Sequence, residues 1–266
     1  VVLPGTQGTR VSLAWTAMSD VGHRRQVNED SLLARSPIFA VADGMGGHSA
    51  GDFASAAVVT RLAEQVQAEL VNQDGINVAL RAAVDDMNRG VGDTDRGTGT
   101  TVTGVALTAL DEQVCWLVFN IGDSRVYQYD DGQLSQLTID HSIVQELIDA
   151  GAITAAEAEV HPHSNVITRA VGFNEDPVPD YWYIPVVPGS RLLVCSDGLT
   201  KELTEYGIRH FLAEGTSPGD AAQLLMDAAL GNGGRDNVTV IVVDVLEVAR
   251  DADDGTETAV RGSHRH

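Results

Sequence analysis

Val11, Leu13, Trp15 and Ala17 alternate with polar neighbours at period two, the pattern of a half-buried strand. Ile38 to Ala42 is a short apolar run and predicts another strand. The spacing then changes. Val59, Leu62, Ala63, Val66 and Leu70 recur at three- and four-residue intervals and predict a helix over 51–70, its apolar stripe laid on something flat. A second helix is predicted from Ile76 to Asn88. Three strand-like stretches follow with no helix between them: Thr100 to Leu110, Gln113 to Ile121 and Ser124 to Tyr129. The links Asp111-Glu112 and Gly122-Asp123 are so short that the three strands are expected to be antiparallel neighbours.

Asp140 to Gly172 reads as helical but broken, with a capping box at Thr154-x-x-Glu157 and an interruption at His161-Pro162-His163. It predicts an irregular insert. Arg191 to Cys195 is a buried strand, Ser217-Pro218-Gly219-Asp220 opens a helix over Ala221 to Leu230, and Asn237 to Val245 is a closing strand. Strands come in runs and helices in pairs, so the class is α+β and not a doubly wound parallel sheet. Residues 1–10 are polar and Gly-rich, and residues 249–266 are acidic and poor in large apolar side chains; both ends are expected to be disordered around one domain of 11–248.

A chain of 266 residues hides about three-quarters of its unfolded surface and needs no staples. Cys115 and Cys195 lie in apolar runs without a C-x-x-C pair and read as small buried residues. The longest apolar run, Val114 to Phe119, has six residues, which excludes a membrane span in this sequence. The opening Val1 to Thr6 lacks the features of a secretory signal, so a cytoplasmic location is expected, with a membrane anchor beyond the acidic tail left open. The net charge of -21 disfavours nucleic acid and anionic lipid as partners. Lys201 is the only lysine beside sixteen arginines, so a P-loop is excluded.

Carboxylates recur beside glycine or asparagine at the ends of apolar runs: Asn28-Glu29-Asp30, Asp43-Gly44, Gly122-Asp123, Asp197-Gly198 and Asp236-Asn237. A lone pair of this kind is an ordinary turn. Five together suggest carboxylates gathered for a hard cation, since like charges need such a counter-ion and oxygen ligands suit Mg²⁺ or Mn²⁺.

Taken in order, Gly22-His23-Arg24-Arg25 through Asp30, Asp43-Gly44-Met45-Gly46-Gly47-His48, Gly97 to Thr101, Asn120 to Arg125, Ser196-Asp197-Gly198-Leu199 and Gly234 to Thr239 resemble the motifs of the protein phosphatase 2C family, the metal-dependent serine/threonine phosphatases. The resemblance covers Trp15 to Asp244. It implies a four-layer αββα sandwich, two antiparallel sheets flanked by helix pairs, with metals at one end. By that resemblance Asp43 bridges two Mg²⁺ or Mn²⁺ ions, Gly44 lends a carbonyl to one, and Asp197 and Asp236 hold the other. Glu29 and Asp30 match positions that bind or orient the second ion, and Asp123 with Asp197 matches a third site of bacterial members. Arg25 matches the arginine that grips the substrate phosphate, whereas Arg24 would point away from it on a strand. The insert of about 140–172 matches the family's flap.

Met45 stands where eukaryotic members carry histidine, which points to the bacterial branch and leaves the general acid to a metal-bound water or His48. His161 and His163 read as solvated flap residues. The implied substrates are phosphoserine and phosphothreonine proteins, among them a Ser/Thr kinase, and the chain is expected to act as a monomer. Two other readings compete: a catalytically silent metal-binding scaffold, and a serine hydrolase with Ser49 in the G-x-S-x-G string Gly47 to Gly51. The latter lacks a strand leading directly into the serine. An EF-hand reading of Asp251 to Gly255 fails on spacing, and Arg261 to His266 stands outside the fold argument.

Overall fold

The computed structural model describes residues 6, 8–46, 50–67, 71–90, 98–173 and 176–249. In chain order the elements are β1 (Arg10–Asp20), β2 (Asp30–Arg35), β3 (Ile38–Met45), α1 (Ala50–Gln65), α2 (Gln73–Gly90), β4 (Gly99–Thr100), β5 (Val102–Leu110), β6 (Gln113–Ile121), β7 (Arg125–Asp130) and β8 (Gln133–Gln136). After them come α3 (Ile143–Asp149), α4 (Ala155–Glu159), β9 (Asp180–Pro185), β10 (Arg191–Cys195), α5 (Asp197–Thr200), α6 (Glu205–Glu214), α7 (Pro218–Asn232) and β11 (Val238–Ala249).

The strands form two antiparallel sheets, ordered β1-β11-β10-β7-β8 and β2-β3-β5-β6-β9, with β4 paired to β3. Alternation along each inner strand explains why they pack as layers. Phe39, Val41, Trp116 and Val118 point toward the opposite sheet and meet Val126, Leu192, Val194 and Ile241. Their neighbours Ala40, Ala42, Leu117 and Phe119 point outward onto Leu62, Ile76 and Leu80 of α1 and α2. On the far side Leu193, Val240 and Val242 pack on Ile208, Leu212 and Leu225 of α6 and α7. The result is an αββα sandwich. Strands such as β6 are covered on both faces, so Val114 to Phe119 reads as an unbroken apolar run instead of an alternating one.

Local signals place several ends. Asp111 and Glu112 both take positive φ, 49° and 62°, as a two-residue hairpin turn between β5 and β6 requires. Ser217 caps α7 by accepting from Asp220 N–H at 3.1 Å, with Pro218 in the first turn. Thr154 and Glu157 form the reciprocal capping box of α4 inside the insert.

Two expectations need correction. β6 and β7 are not neighbours: β7 pairs with β10 and β8 in the other sheet. Gly122 has φ of 113° and its Cα lies close over Thr101, where a Cβ would come within 2.5 Å of Cγ2. Gly122-Asp123 is therefore a corner that carries the chain across the end of the sandwich, not a hairpin. Arg24 lies in a turn between β1 and β2, exposed but on no strand. Leu70, placed on the α1 stripe, and residues 1–5, 7 and 250–266 of the two expected tails lie outside the described residues; Thr6 and Thr9 are buried, with the Thr9 hydroxyl donating to the Thr6 carbonyl at 2.6 Å. β3 ends at Met45 between antiparallel neighbours, which removes the parallel strand-to-helix setting that a Ser49 nucleophile needs.

Candidate metal centre

The acidic motifs meet at one end of the sandwich because strand register and three side-chain clamps bring them there. In the β2–β3 hairpin Asp30 is directly opposite Asp43. Thr100 and Thr101 hold Asp43 from the next strand: its N–H donates to Thr101 Oγ1 at 3.0 Å, while Thr101 N–H and Thr100 Oγ1 donate to its carbonyl, each at 2.9 Å. Gly44 N–H donates to the Glu29 carbonyl at 3.1 Å. A Cβ on Gly44 would come within 2.1 Å of the Gly51 carbonyl oxygen, so only glycine lets the start of α1 close over this strand.

Asp197 opens the short helix α5 and Asp236 precedes β11. Ser196 donates its hydroxyl to Asp30 Oδ2 at 2.8 Å and accepts the Thr239 N–H at 3.0 Å, while Thr239 Oγ1 donates to the same Asp30 oxygen at 2.7 Å. Asn237 ties the remaining loop down: its Nδ2 donates to the carbonyls of Val21 and Val27, and its Oδ1 accepts the Glu29 N–H at 2.9 Å. Gly198 lies so close to the Asn237 carbonyl that a Cβ would fall 1.9 Å from its oxygen.

Burial and mutual repulsion dominate the electrostatics. Burial, then Asp197, Asp30 and Asp123, hold the Asp43 carboxyl well above the usual range. Asp30 is pushed up to about 6 by burial, against the two hydroxyls it accepts from, and Asp123 to about 7 by burial, Asp197 and Asp140. Burial also raises Glu29. Asp236 goes the other way: burial acts upward, but Lys201 and Arg25 outweigh it and lower the carboxyl. Lys201 Nζ lies 2.5 Å from Asp197 Oδ2 and 3.0 Å from Asp236 Oδ2. Arg25 Nε lies 2.8 Å from Asp236 Oδ1, with its NH1 3.9 Å from Glu29 Oε2.

Asp30 Oδ1 and Asp197 Oδ1 are buried and have no hydrogen-bond partner. Orphaned carboxylate oxygens in a cluster of this charge are costly unless a cation joins them. Among the described residues no three Asp, Glu, His or Cys side chains stand ready around one point; Lys201 and Arg25 hold two of the carboxylates instead. The donor set is all oxygen, and with two buried oxygens unpartnered it fits a hard divalent cation.

A cleft of about 990 Å³ opens beside the cluster, with Asp123, Asp197 and Lys201 on one wall and Ser142, Ile148 and Val160 of the insert on the other. Asp43 and Arg25 do not line it. His161 and His163 lie against each other with rings tilted by 51° and centroids 5.6 Å apart, and do not line it either. His48, and with it Ser49, lies outside the described residues.

Sequence reasoning passed over Lys201 as a site residue, although a lone lysine four positions after Asp197 is the helical spacing for an ion pair. It also missed His141, whose Nδ1 accepts the Gly122 N–H at 3.1 Å and whose Nε2 therefore carries the proton toward Asp180 Oδ2 at 3.0 Å, pinning the corner that bears Asp123. Arg125 and Asp140 pair bidentately, at 2.7 to 3.1 Å, on the cleft wall.

The family model described as protein phosphatase 2C matches residues 22–232. The serine/threonine phosphatase stp of Listeria monocytogenes is 35% identical over 246 residues, covering 88% of this chain and 97% of that protein. The serine/threonine protein phosphatase PstP of Mycobacterium tuberculosis is 38% identical over 239 residues, 88% of this chain and 45% of that longer protein. A crystal structure of that phosphatase superposes with a TM-score of 0.82 at 35% identity, covering 90% of this chain and 100% of the other. Another, of the PstP catalytic domain in complex with two manganese ions, gives a TM-score of 0.78 at 35% identity, again over 90% and 100%.

Proposed function

The chain belongs to the protein phosphatase 2C family, and from that premise we propose how its own residues carry out the metal-dependent dephosphorylation of serine and threonine in proteins. Asp43, the Gly44 carbonyl, Asp197 and Asp236 would hold two divalent cations, with Glu29 and Asp30 binding or orienting one of them. When bound there, the two cations supply an acidified water as nucleophile and positive charge for the phosphoryl oxygens. Mn²⁺ and Mg²⁺ both suit this donor set, and Asp123 with Asp197 would take a third ion. The observation that carries the reading is the pair of buried, unpartnered oxygens, Asp30 Oδ1 and Asp197 Oδ1, in a cluster drawn from separate motifs.

The protein's own groups orient and bind. Thr100 and Thr101 fix the Asp43 backbone, so that its carboxylate need not be ordered when substrate arrives. Ser196 and Thr239 occupy one oxygen of Asp30 and leave the other free to act. Arg25, with 48% of its side chain exposed at the edge of the cluster, presents a planar fork to the phosphate. Protonation of the leaving alkoxide falls to a water in the site or to His48. Residues 11–248 would form the catalytic domain with the flap at about 140–172 beside the cleft and 249–266 as a separate tail. The chain would work as a monomer in the cytoplasm, with a Ser/Thr kinase among its phosphoprotein substrates. No helix among the described residues is long and apolar enough to cross a membrane.

Phosphate release from a phosphothreonine peptide tests the assignment. Asp43→Asn is expected to lower Mn²⁺-dependent turnover by at least about a hundredfold. Full activity in that variant would remove the two-ion assignment, and Mn²⁺ binding without turnover in the unaltered protein would favour a silent scaffold.

A further inference from the structure

We propose that Lys201 is a built-in counter-cation that competes with divalent metal for Asp197 and Asp236, so that metal loading of this chain is an exchange of charges. The inference rests on the metal-site reading above and goes beyond it, because it assigns a role to a residue outside the ligand set.

The chain carries sixteen arginines and one lysine, and that lysine is the cation placed between two of the acidic residues that face the cleft. Its position is fixed from behind: Lys201 caps α5, and its N–H donates to the Asp197 carbonyl at 2.8 Å, so Asp197 and Lys201 stand one turn apart on the same side. Its ammonium then reaches Asp197 Oδ2 and Asp236 Oδ2, which lie on different elements. Both carboxylates are mostly buried, at 14% and 17% exposure, so the pairing is worth more than a surface ion pair.

The neighbouring cations are committed elsewhere. Arg125 is bound bidentately to Asp140 and Arg235 to Glu202, leaving Lys201 and Arg25 to meet the charge of Asp236. Arg25 does not bridge to Asp197, so Lys201 alone compensates that group among the described residues. The chemistry of the side chain suits exchange. An ammonium on a four-carbon stem is a mobile point charge that can withdraw into the adjoining cleft, which Lys201 lines, whereas a guanidinium fork would stay docked. A divalent ion arriving at Asp197 and Asp236 must displace this charge, and the metal-free protein is protected from carboxylate repulsion until it does.

The test is Mn²⁺ binding to the full, metal-stripped chain by titration calorimetry, with thermal unfolding read in parallel. Lys201→Gln should bind Mn²⁺ about tenfold more tightly than the unaltered protein, as loss of a competing partly buried ion pair requires. Its metal-free Tm should fall, and its Mn²⁺-induced rise in Tm should be the larger of the two. Lys201→Arg should keep the weaker affinity, and it also covers the case in which the glutamine variant does not fold: binding about tenfold tighter in Lys201→Arg would overturn the proposal. Arg61→Gln removes the same charge from the α1–α2 face, where Arg61 pairs with Glu64 and Asp86. An equal gain there would reduce the effect to net charge and overturn the proposal. Unchanged or weaker Mn²⁺ affinity in Lys201→Gln, with binding intact in the unaltered protein, would overturn it while leaving the metal site standing. Absence of Mn²⁺ binding in every protein would overturn the metal site and this inference together.

Discussion

Single side chains at the acidic end of the sandwich divide into those that face the reaction and those that hold them still. On the proposed reading Arg25 belongs to the first kind. Arg25→Ala should raise KM for a phosphothreonine peptide by about tenfold while lowering kcat less; an unchanged KM would remove Arg25 from phosphate binding. Asn237 belongs to the second, since one amide serves the carbonyls of Val21 and Val27 and the N–H of Glu29. Asn237→Ala leaves these groups unpaired and should cost about 2–3 kcal/mol in urea unfolding, and a loss below about 0.5 kcal/mol would mean that water replaces the amide. The two kinds were unequally legible in the sequence. Asp43, Asp197 and Asp236 stand in motifs that local order reveals, whereas Asn237 acts across 208 to 216 residues and Lys201 meets Asp236 across 35, distances no local pattern carries.

Elements were legible where burial imposed a period. β6 announced itself by the unbroken apolar run Val114 to Phe119, because both its faces are covered, and α7 by its Ser217-Pro218 opening. β8 was passed over although Asp131-Gly132, with φ of 46° and 76°, is the hairpin turn that joins it to β7. The Gly122-Asp123 corner was misread for a different reason. Its residues are those of a tight turn, and which sheet receives the next strand is decided by tertiary packing over Thr101. The contact between α5 and the Asp236-Asn237 loop makes a prediction at this scale. Gly198→Ala places a Cβ against the Asn237 carbonyl and must push α5 away, shifting Asp197 relative to Asp236. Turnover should fall at least about tenfold, with a misplacement of about 1 Å sufficient for that loss; unaltered turnover would show that the loop yields without moving the carboxylates.

The whole molecule concentrates negative charge at one end of a four-layer sandwich and relies on cations to hold it there. That arrangement fixes a pH dependence for the metal-free protein. Asp30 at about 6 and Asp123 at about 7 bind protons more tightly folded than unfolded, where an aspartate lies near 3.9. Their contribution is therefore fully present below about 3.9 and is lost as pH rises through 6 and 7. EDTA-treated protein should unfold several degrees higher at pH 5 than at pH 8, and saturating Mn²⁺ should abolish or reverse that difference. A metal-free Tm that is flat or rises with pH over this interval would contradict the crowding of carboxylates inferred from their burial.

On the proposed reading, a cluster built from Asp43, Asp197 and Asp236 makes this chain a metal-dependent phosphatase. Phosphate release from a phosphothreonine peptide, measured with Mn²⁺, with EDTA, and with Mn²⁺ in Asp197→Asn, decides whether it does. Turnover in the first arm alone, and at most about one hundredth of it in the other two, is the predicted result. Comparable release with EDTA, or from Asp197→Asn, would contradict it.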